Sequence, residues 1–140
     1  LANLHATVAR AYEDLDLHPE AAGGYRRALA LCPDFADLRV RLGTVLRASG
    51  DLRGAVHQFE QAIRHNAKYV PAYVSLGVTL FALGRPDDAR LQWERAIEIE
   101  PENRNAQMYL RMLDQAPPTS SVIPQPEHED LLASLLPDGE

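Results

Sequence analysis

The chain writes one phrase twice. Residues 50–63, GDLRGAVHQFEQAI, align without gaps on residues 84–97, GRPDDARLQWERAI, with six of fourteen positions identical and Phe59 opposite Trp93. The step between them is 34 residues, and extending it brings in further columns. Tyr25, Phe59 and Trp93 fall in one column, Ala21, Ala55 and Ala89 in a second, and Ala28, Ala62 and Ala96 in a third. Val8, Leu42, Leu76 and Leu110 make a fourfold series, and Tyr12, Leu46 and Leu80 another. Small residues recur as Ala9, Gly43 and Gly77, and Pro33 recurs at Pro101 with Ala67 between them. A period of 34 with two apolar, helix-spaced stretches per copy is the signature of a helix–turn–helix solenoid.

The stop signals agree. Gly50 and Gly84 stand where a left-handed residue caps a first helix, and Pro19 and Pro86 stand where second helices begin. Asp87 and Asp88 follow in a first turn, where the helix dipole favours acids. The pattern predicts helices over 2–14, 19–31, 36–48, 53–65, 70–82, 87–99 and 104–115. Gly23 and Gly24 together cost a helix roughly 1.5–2 kcal/mol against alanine, so the first copy is expected to be the softest.

These residues resemble the tetratricopeptide repeat (TPR) family, whose pattern asks for a bulky residue, Leu-Gly, a large residue, Ala, an aromatic, Ala and Pro at fixed offsets. The third copy supplies Tyr73, Leu76, Gly77, Leu80, Ala89, Trp93, Ala96 and Pro101. The second supplies Leu42, Gly43, Leu46, Ala55, Phe59 and Ala62, departing at Arg39 and Ala67. The first is looser, with His5 and Ala9 at the bulky and glycine positions. The resemblance covers residues 2–115. It implies an all-α solenoid of repeats over about 2–35, 36–69 and 70–103, closed by a capping helix over 104–115. In that last helix the bulky, small and large columns become Gln107, Arg111 and Asp114, a polar end of the kind a solenoid needs. The N-terminal end carries no comparable cap, and the chain begins at Leu1 rather than Met, which leaves room for earlier repeats.

Charge and chemistry narrow the function. The net charge of −6 divides unevenly: residues 1–115 carry 14 basic and 15 acidic side chains, and residues 116–140 carry five acids and no base. A near-neutral body with an acidic tail offers little to a polyphosphate backbone, so nucleic acid is not an expected partner. No stretch approaches the roughly 20 apolar residues of a membrane span, no signal peptide is visible, and the expected location is cytoplasmic. One cysteine, Cys32, excludes an internal disulfide and a multi-cysteine metal site. There is no glycine-rich phosphate loop, nucleophile elbow or His-Glu-x-x-His. The five histidines are scattered. The reading is therefore non-enzymatic, with no cofactor and no metal.

The resemblance implies a binding scaffold whose first helices line a concave groove. Positions off the packing stripe, at spacing i, i+3, i+7, i+10, are expected to line it. They are Asn3, Ala6, Arg10 and Glu13, then Asp37, Val40, Thr44 and Arg47 with Arg41 beside them, then Pro71, Val74, Val78 and Phe81, and finally Asn105, Met108 and Met112. One half is charged and the other apolar. An apolar strip with two adaptable methionines suits a protein ligand; the alternative is that these side chains bury against neighbouring helices. Two specialisations of the family do not carry over. A chaperone-carboxylate clamp needs Lys and Asn in the first groove helix and Asn in the second, where this sequence has Ala6, Arg10 and Arg41. The asparagine ladder of the TPR-bearing glycosyltransferases would occupy the column Thr7, Arg41, Ser75 and Tyr109.

The tail is a separate element. Residues 116–126, APPTSSVIPQP, hold four prolines and read as an extended linker reaching roughly 34 Å at about 3.1 Å per residue. Residues 127–136, EHEDLLASLL, put Leu131, Leu132, Leu135 and Leu136 on one face of a short helix behind a run of acids. The expected function is a protein–protein adaptor whose groove takes a peptide or amphipathic helix, including its own or a neighbour's tail. The alternatives are a regulatory or substrate-presenting region of a larger enzyme, a tail that is disordered or the edge of a further domain, and self-assembly through tail and groove.

Overall fold

The computed structural model describes residues 1–115; the linker and the four tail leucines lie outside the described residues. Among the described residues there are seven helices and no strand: α1 (Ala2–Asp14), α2 (His18–Leu31), α3 (Ala36–Ala48), α4 (Leu52–His65), α5 (Val70–Ala82), α6 (Pro86–Ile99) and α7 (Arg104–Gln115). Each boundary lies within one residue of its expected place. Helices α1/α2, α3/α4 and α5/α6 pack as hairpins, and each hairpin packs its second helix on the next first helix, ending with α6 on α7. Helices α3 and α5 also touch, so the first helices form an inner layer.

One turn recurs inside every hairpin. Gly50 and Gly84 hold φ of +95° and +80°, and Asp16 takes φ of +60° at the same place in the first copy. The amide three residues past each helix end reaches back to the third-last carbonyl: Leu17 N to Tyr12 O at 2.9 Å, Asp51 N to Leu46 O at 2.8 Å, Arg85 N to Leu80 O at 3.0 Å. This is the Schellman closure, which satisfies the carbonyls a helix end leaves free. Asp16 tolerates the left-handed conformation because a short polar side chain can.

A second recurring contact ties each of α3, α5 and α7 to the loop before it. Arg39 Nη2 donates to the Pro33 carbonyl at 3.1 Å, the Tyr73 hydroxyl to the Ala67 carbonyl at 2.7 Å, and Gln107 Nε2 to the Pro101 carbonyl at 2.9 Å. The bulky column thus requires reach and a donor more than an aromatic ring. That is why Arg39, a departure from the family pattern, fits there.

The core follows the repeat columns. Tyr25, Phe59 and Trp93 are at most 1% exposed, and the six alanines of the 21/55/89 and 28/62/96 columns are fully buried. Small residues set the helix separation. A Cβ at Gly43 would lie 2.6 Å from Phe59 Cε1, and one at Gly77 would press into the Trp93 indole. In the first hairpin the close approach moves to Gly24, where a Cβ would lie 2.8 Å from the Ala9 Cβ. Gly24 therefore permits close packing of α2 on α1, and only Gly23, where a Cβ would make an ordinary contact with the Arg27 side chain at 3.6 Å, is a plain helix weakness. At the C-terminal end Arg111 and Asp114 are exposed, and Asp114 accepts a bond from Arg90 at 2.8 Å.

Candidate functional site

Three of the four columns of expected groove residues on the inner helices differ in how freely their side chains stand. The column Glu13, Arg47 and Phe81 is tied to the buried aromatic column of the outer helices. Tyr25 donates its hydroxyl to Glu13 Oε1 at 2.8 Å, the Arg47 guanidinium carbon lies 6.0 Å from the Phe59 ring centroid, and Phe81 lies 6.3 Å from Trp93 in a tilted pair. Arg47 also reaches across to α5, donating to the Ser75 carbonyl and to Thr79 Oγ1, both at 3.4 Å. Burial lowers its pKa, outweighing the opposite effect of Tyr109. Arg47 and Phe81 are both half-buried and spend much of their surface on the fold.

The other two columns become more open toward α7. Val40, Val74 and Met108 form one, and Arg10, Thr44, Val78 and Met112 the other. Val40, Val74 and Val78 are half-buried against the core, whereas Met108 and Met112 are 46% and 41% exposed. Thr44 turns its hydroxyl back to the Val40 carbonyl at 2.9 Å. Arg10 is exposed and has no ion pair among the described residues.

Between α2, α3 and the start of α5 lies a polar cluster that spacing alone did not assemble. Asp37 accepts from Arg41 Nε at 3.4 Å and from the Tyr69 hydroxyl at 2.9 Å. Burial would lower the Arg41 pKa, but the charges of Asp37 and Tyr25 outweigh it and the net shift is upward. Burial and the Asp37 acceptor push the Tyr69 phenol up to about 12, and burial with Glu13 raises Tyr25. Tyr69 and Tyr109 are thus additions to the site. Tyr109 stacks on Trp93 with centroids 4.8 Å apart and an interplanar angle of 18°, carrying the aromatic column to the inner face of α7. The signal available in the sequence was the place of Tyr109 on the fourth inner helix and of Tyr69 directly before the third.

Two shallow depressions lie elsewhere. One of about 440 Å³ is lined by Tyr73, Leu91, Glu94, Arg95, Glu98 and Ile99, and one of about 460 Å³ by the loop Leu31–Phe35. Neither is lined by an expected groove residue. Among the described residues no group of three or more His, Cys, Asp or Glu could hold a metal ion, and no helix is long and apolar enough to cross a membrane.

The fold and its columns have counterparts in known proteins. A family model described as tetratricopeptide repeat matches residues 40–107. Those residues are tetratricopeptide repeat sequence, and the helices stack as in TPR solenoids. Among solved TPR structures, the first TPR of Spaghetti (RPAP3) bound to the HSP90 peptide SRMEEVD superposes with a TM-score of 0.77 at 24% identity, covering 81% of this chain and 90% of that one. MamA superposes with a TM-score of 0.74 at 22% identity, over 79% of this chain and 65% of that one. At these identities the likeness is one of fold. The UDP-N-acetylglucosamine–peptide N-acetylglucosaminyltransferase of Giardia intestinalis is 29% identical over 86 residues, 61% of this chain and 6% of that protein. Mouse RNA polymerase II-associated protein 3 is 40% identical over 55 residues, 39% of this chain and 8% of that protein. The TPR chain therefore matches only a small part of these longer relatives.

Proposed function

We propose that this TPR chain is a non-catalytic protein–protein interaction module whose inner face takes a peptide or a short amphipathic helix. The observation that carries the reading is the pair Met108 and Met112, open on the last inner helix in the same columns as the half-buried Val74 and Val78 of α5. Flexible thioethers on an apolar strip adapt to leucine-rich ligands. The TPR neighbour solved with an HSP90 peptide supports peptide binding as a use of this fold. The ligand chemistry differs, because Ala6, Arg10 and Arg41 stand where a carboxylate clamp needs Lys and Asn. A leucine face preceded by acids, as in residues 127–136, fits better: the leucines meet the α5–α7 strip and the acids meet Arg10.

The tail can supply that ligand to its own groove or to a neighbour's. Docking in cis gains from high effective concentration and competes with outside ligands. Docking in trans joins molecules. A second reading, a regulatory or substrate-presenting TPR region of a larger enzyme, is favoured by the match to a small part of the Giardia transferase. Affinity capture from a lysate with wild type and Met108→Glu/Met112→Glu, followed by mass spectrometry, tests the groove. The proposal expects specific partners to be lost with the variant, and equal capture by both would overturn it.

A further inference from the structure

Four arginines are half-buried among the described residues, and they differ in what neutralises them. Arg41 pairs with Asp37 and Arg90 with Asp114, while Arg39 is held by Gln58 and the Pro33 carbonyl. Arg47 has no ion pair among the described residues. Its bonds to the Ser75 carbonyl and Thr79 Oγ1 both use Nη1, and at 3.4 Å each they sit at the long, weak end for such contacts. Those acceptors already serve each other, since Thr79 donates its hydroxyl to the Ser75 carbonyl at 2.8 Å. Arg47 Nε and Nη2 have no partner among the described residues. Neither is sealed in, because the buried side-chain atoms left without a partner are His18 Nδ1 and Arg39 Nε. The Nε–Nη2 edge therefore faces solvent. It lies between α3 and α5, interior helices with neighbours packed on both sides.

We infer that the free Nε–Nη2 edge of Arg47 receives one carboxylate of the ligand, an aspartate or glutamate side chain flanking its leucine face. The inference rests on the groove reading and adds a charge to it. The Nε and Nη2 hydrogens are parallel and match the two oxygens of a carboxylate. Nη1 is already anchored on α5 and the guanidinium carbon lies 6.0 Å from the Phe59 ring centroid, so the fork is held before a ligand arrives. Burial weakens the cation's hold on its proton, and Tyr109 is the neighbour that opposes this. An incoming carboxylate supplies the counter-charge that the fold leaves out. The half-buried setting also makes such a pair stronger than one on an exposed rim. Arg10 is exposed, so a pair there is screened by water. Position sets the specificity. Ser75 and Thr79 directly follow Val74 and Val78 in α5, and Phe81 continues the Arg47 column, so the acid lands beside the apolar strip. Arg47 also stands outside the carboxylate-clamp positions, which hold Ala6, Arg10 and Arg41 here.

Calorimetric titration of the full chain carrying Leu132→Asp/Leu135→Asp tests the inference. The probes are the peptide EHEDLLASLL and its Glu127→Gln/Glu129→Gln form, since helical spacing sets these two glutamates at the flanks of the leucines. The acidic peptide is expected to bind roughly tenfold more tightly than the amide one. Arg47→Gln should erase that preference. Arg47→Lys, which keeps the charge and loses the fork, should retain only part of it. The preference is a ratio between two peptides on one folded protein, so a loss of stability in Arg47→Gln does not imitate it, and circular dichroism verifies the fold. Equal binding of the two peptides to the chain that keeps Arg47 overturns the inference and leaves the groove reading standing. A preference that survives Arg47→Gln overturns it too and assigns the acids to Arg10. Binding of neither peptide overturns the groove reading and this inference with it.

Discussion

The Trp93 indole donates its Nε1 hydrogen to the Val74 carbonyl at 3.2 Å through the space that Gly77 leaves open. The indole thereby crosses from the outer helix to the backbone of the inner one, and its other face is free to stack on Tyr109. Gly77→Ala would drive a Cβ to within 2.6 Å of Trp93 Cε2. Overpacking of this kind costs about 1–3 kcal/mol, and urea unfolding followed by circular dichroism and Trp93 fluorescence should report it. Gly23→Ala is the matched control. Its nearest neighbour is the Arg27 side chain at 3.6 Å, so this change should stabilise by about 0.5–1 kcal/mol.

Tyr69 makes stability fall at alkaline pH. The phenol ionises near 10 in an unfolded chain and at about 12 in the fold, raised by burial and by its bond to Asp37. Below about pH 10 both states hold the proton and the contribution is whole. Between 10 and 12 the unfolded chain loses its proton first, so stability declines as pH rises. Tyr69→Phe should flatten that limb in chemical unfolding measured at several pH values. An unchanged slope would mean that Tyr25, raised in the same direction, dominates.

The polar C-terminal end is expected to keep the array from extending. Arg111→Leu with Asp114→Leu removes two exposed charged residues and the Arg90 partner, leaving an apolar face on α7. Light scattering should show concentration-dependent association beyond that of wild type. Unaltered behaviour would show that the ending does not depend on these charges.

Groove substitutions should separate into two classes. Phe81 packs against Trp93, so Val78→Glu with Phe81→Glu should lower the melting temperature as well as binding. Met108→Glu with Met112→Glu changes side chains that stand open, and should remove binding while leaving the helical signal and melting temperature nearly unchanged. Equal destabilisation by both pairs would place the methionines in the core.

The helices were legible in the sequence because packing repeats every 34 residues, and the turns because Gly50 and Gly84 need a conformation that glycine reaches without strain. Asp16 was not legible as the third such turn, since aspartate visits that region only where the context holds it. The groove was less legible for a related reason. Spacing places Glu13, Arg47 and Phe81 on an inner face, but what they touch depends on the outer-helix aromatic one loop away, and each pair uses different chemistry: a hydrogen bond, a cation over a ring, two rings. Likewise Arg39, Tyr73 and Gln107 look unrelated until their shared carbonyl acceptors come into view.

The central claim is that the inner face at α5–α7 receives a leucine-faced helix. The chain holds two methionines, Met108 and Met112, both on that face, so methyl-labelled methionine gives an NMR spectrum with one reporter signal at each. The direct measurement is titration of the peptide EHEDLLASLL into the full chain carrying Leu132→Asp/Leu135→Asp, whose own tail cannot compete. The account predicts that both methyl signals shift and saturate together. Two signals that stay fixed as peptide is added to a folded protein would contradict it.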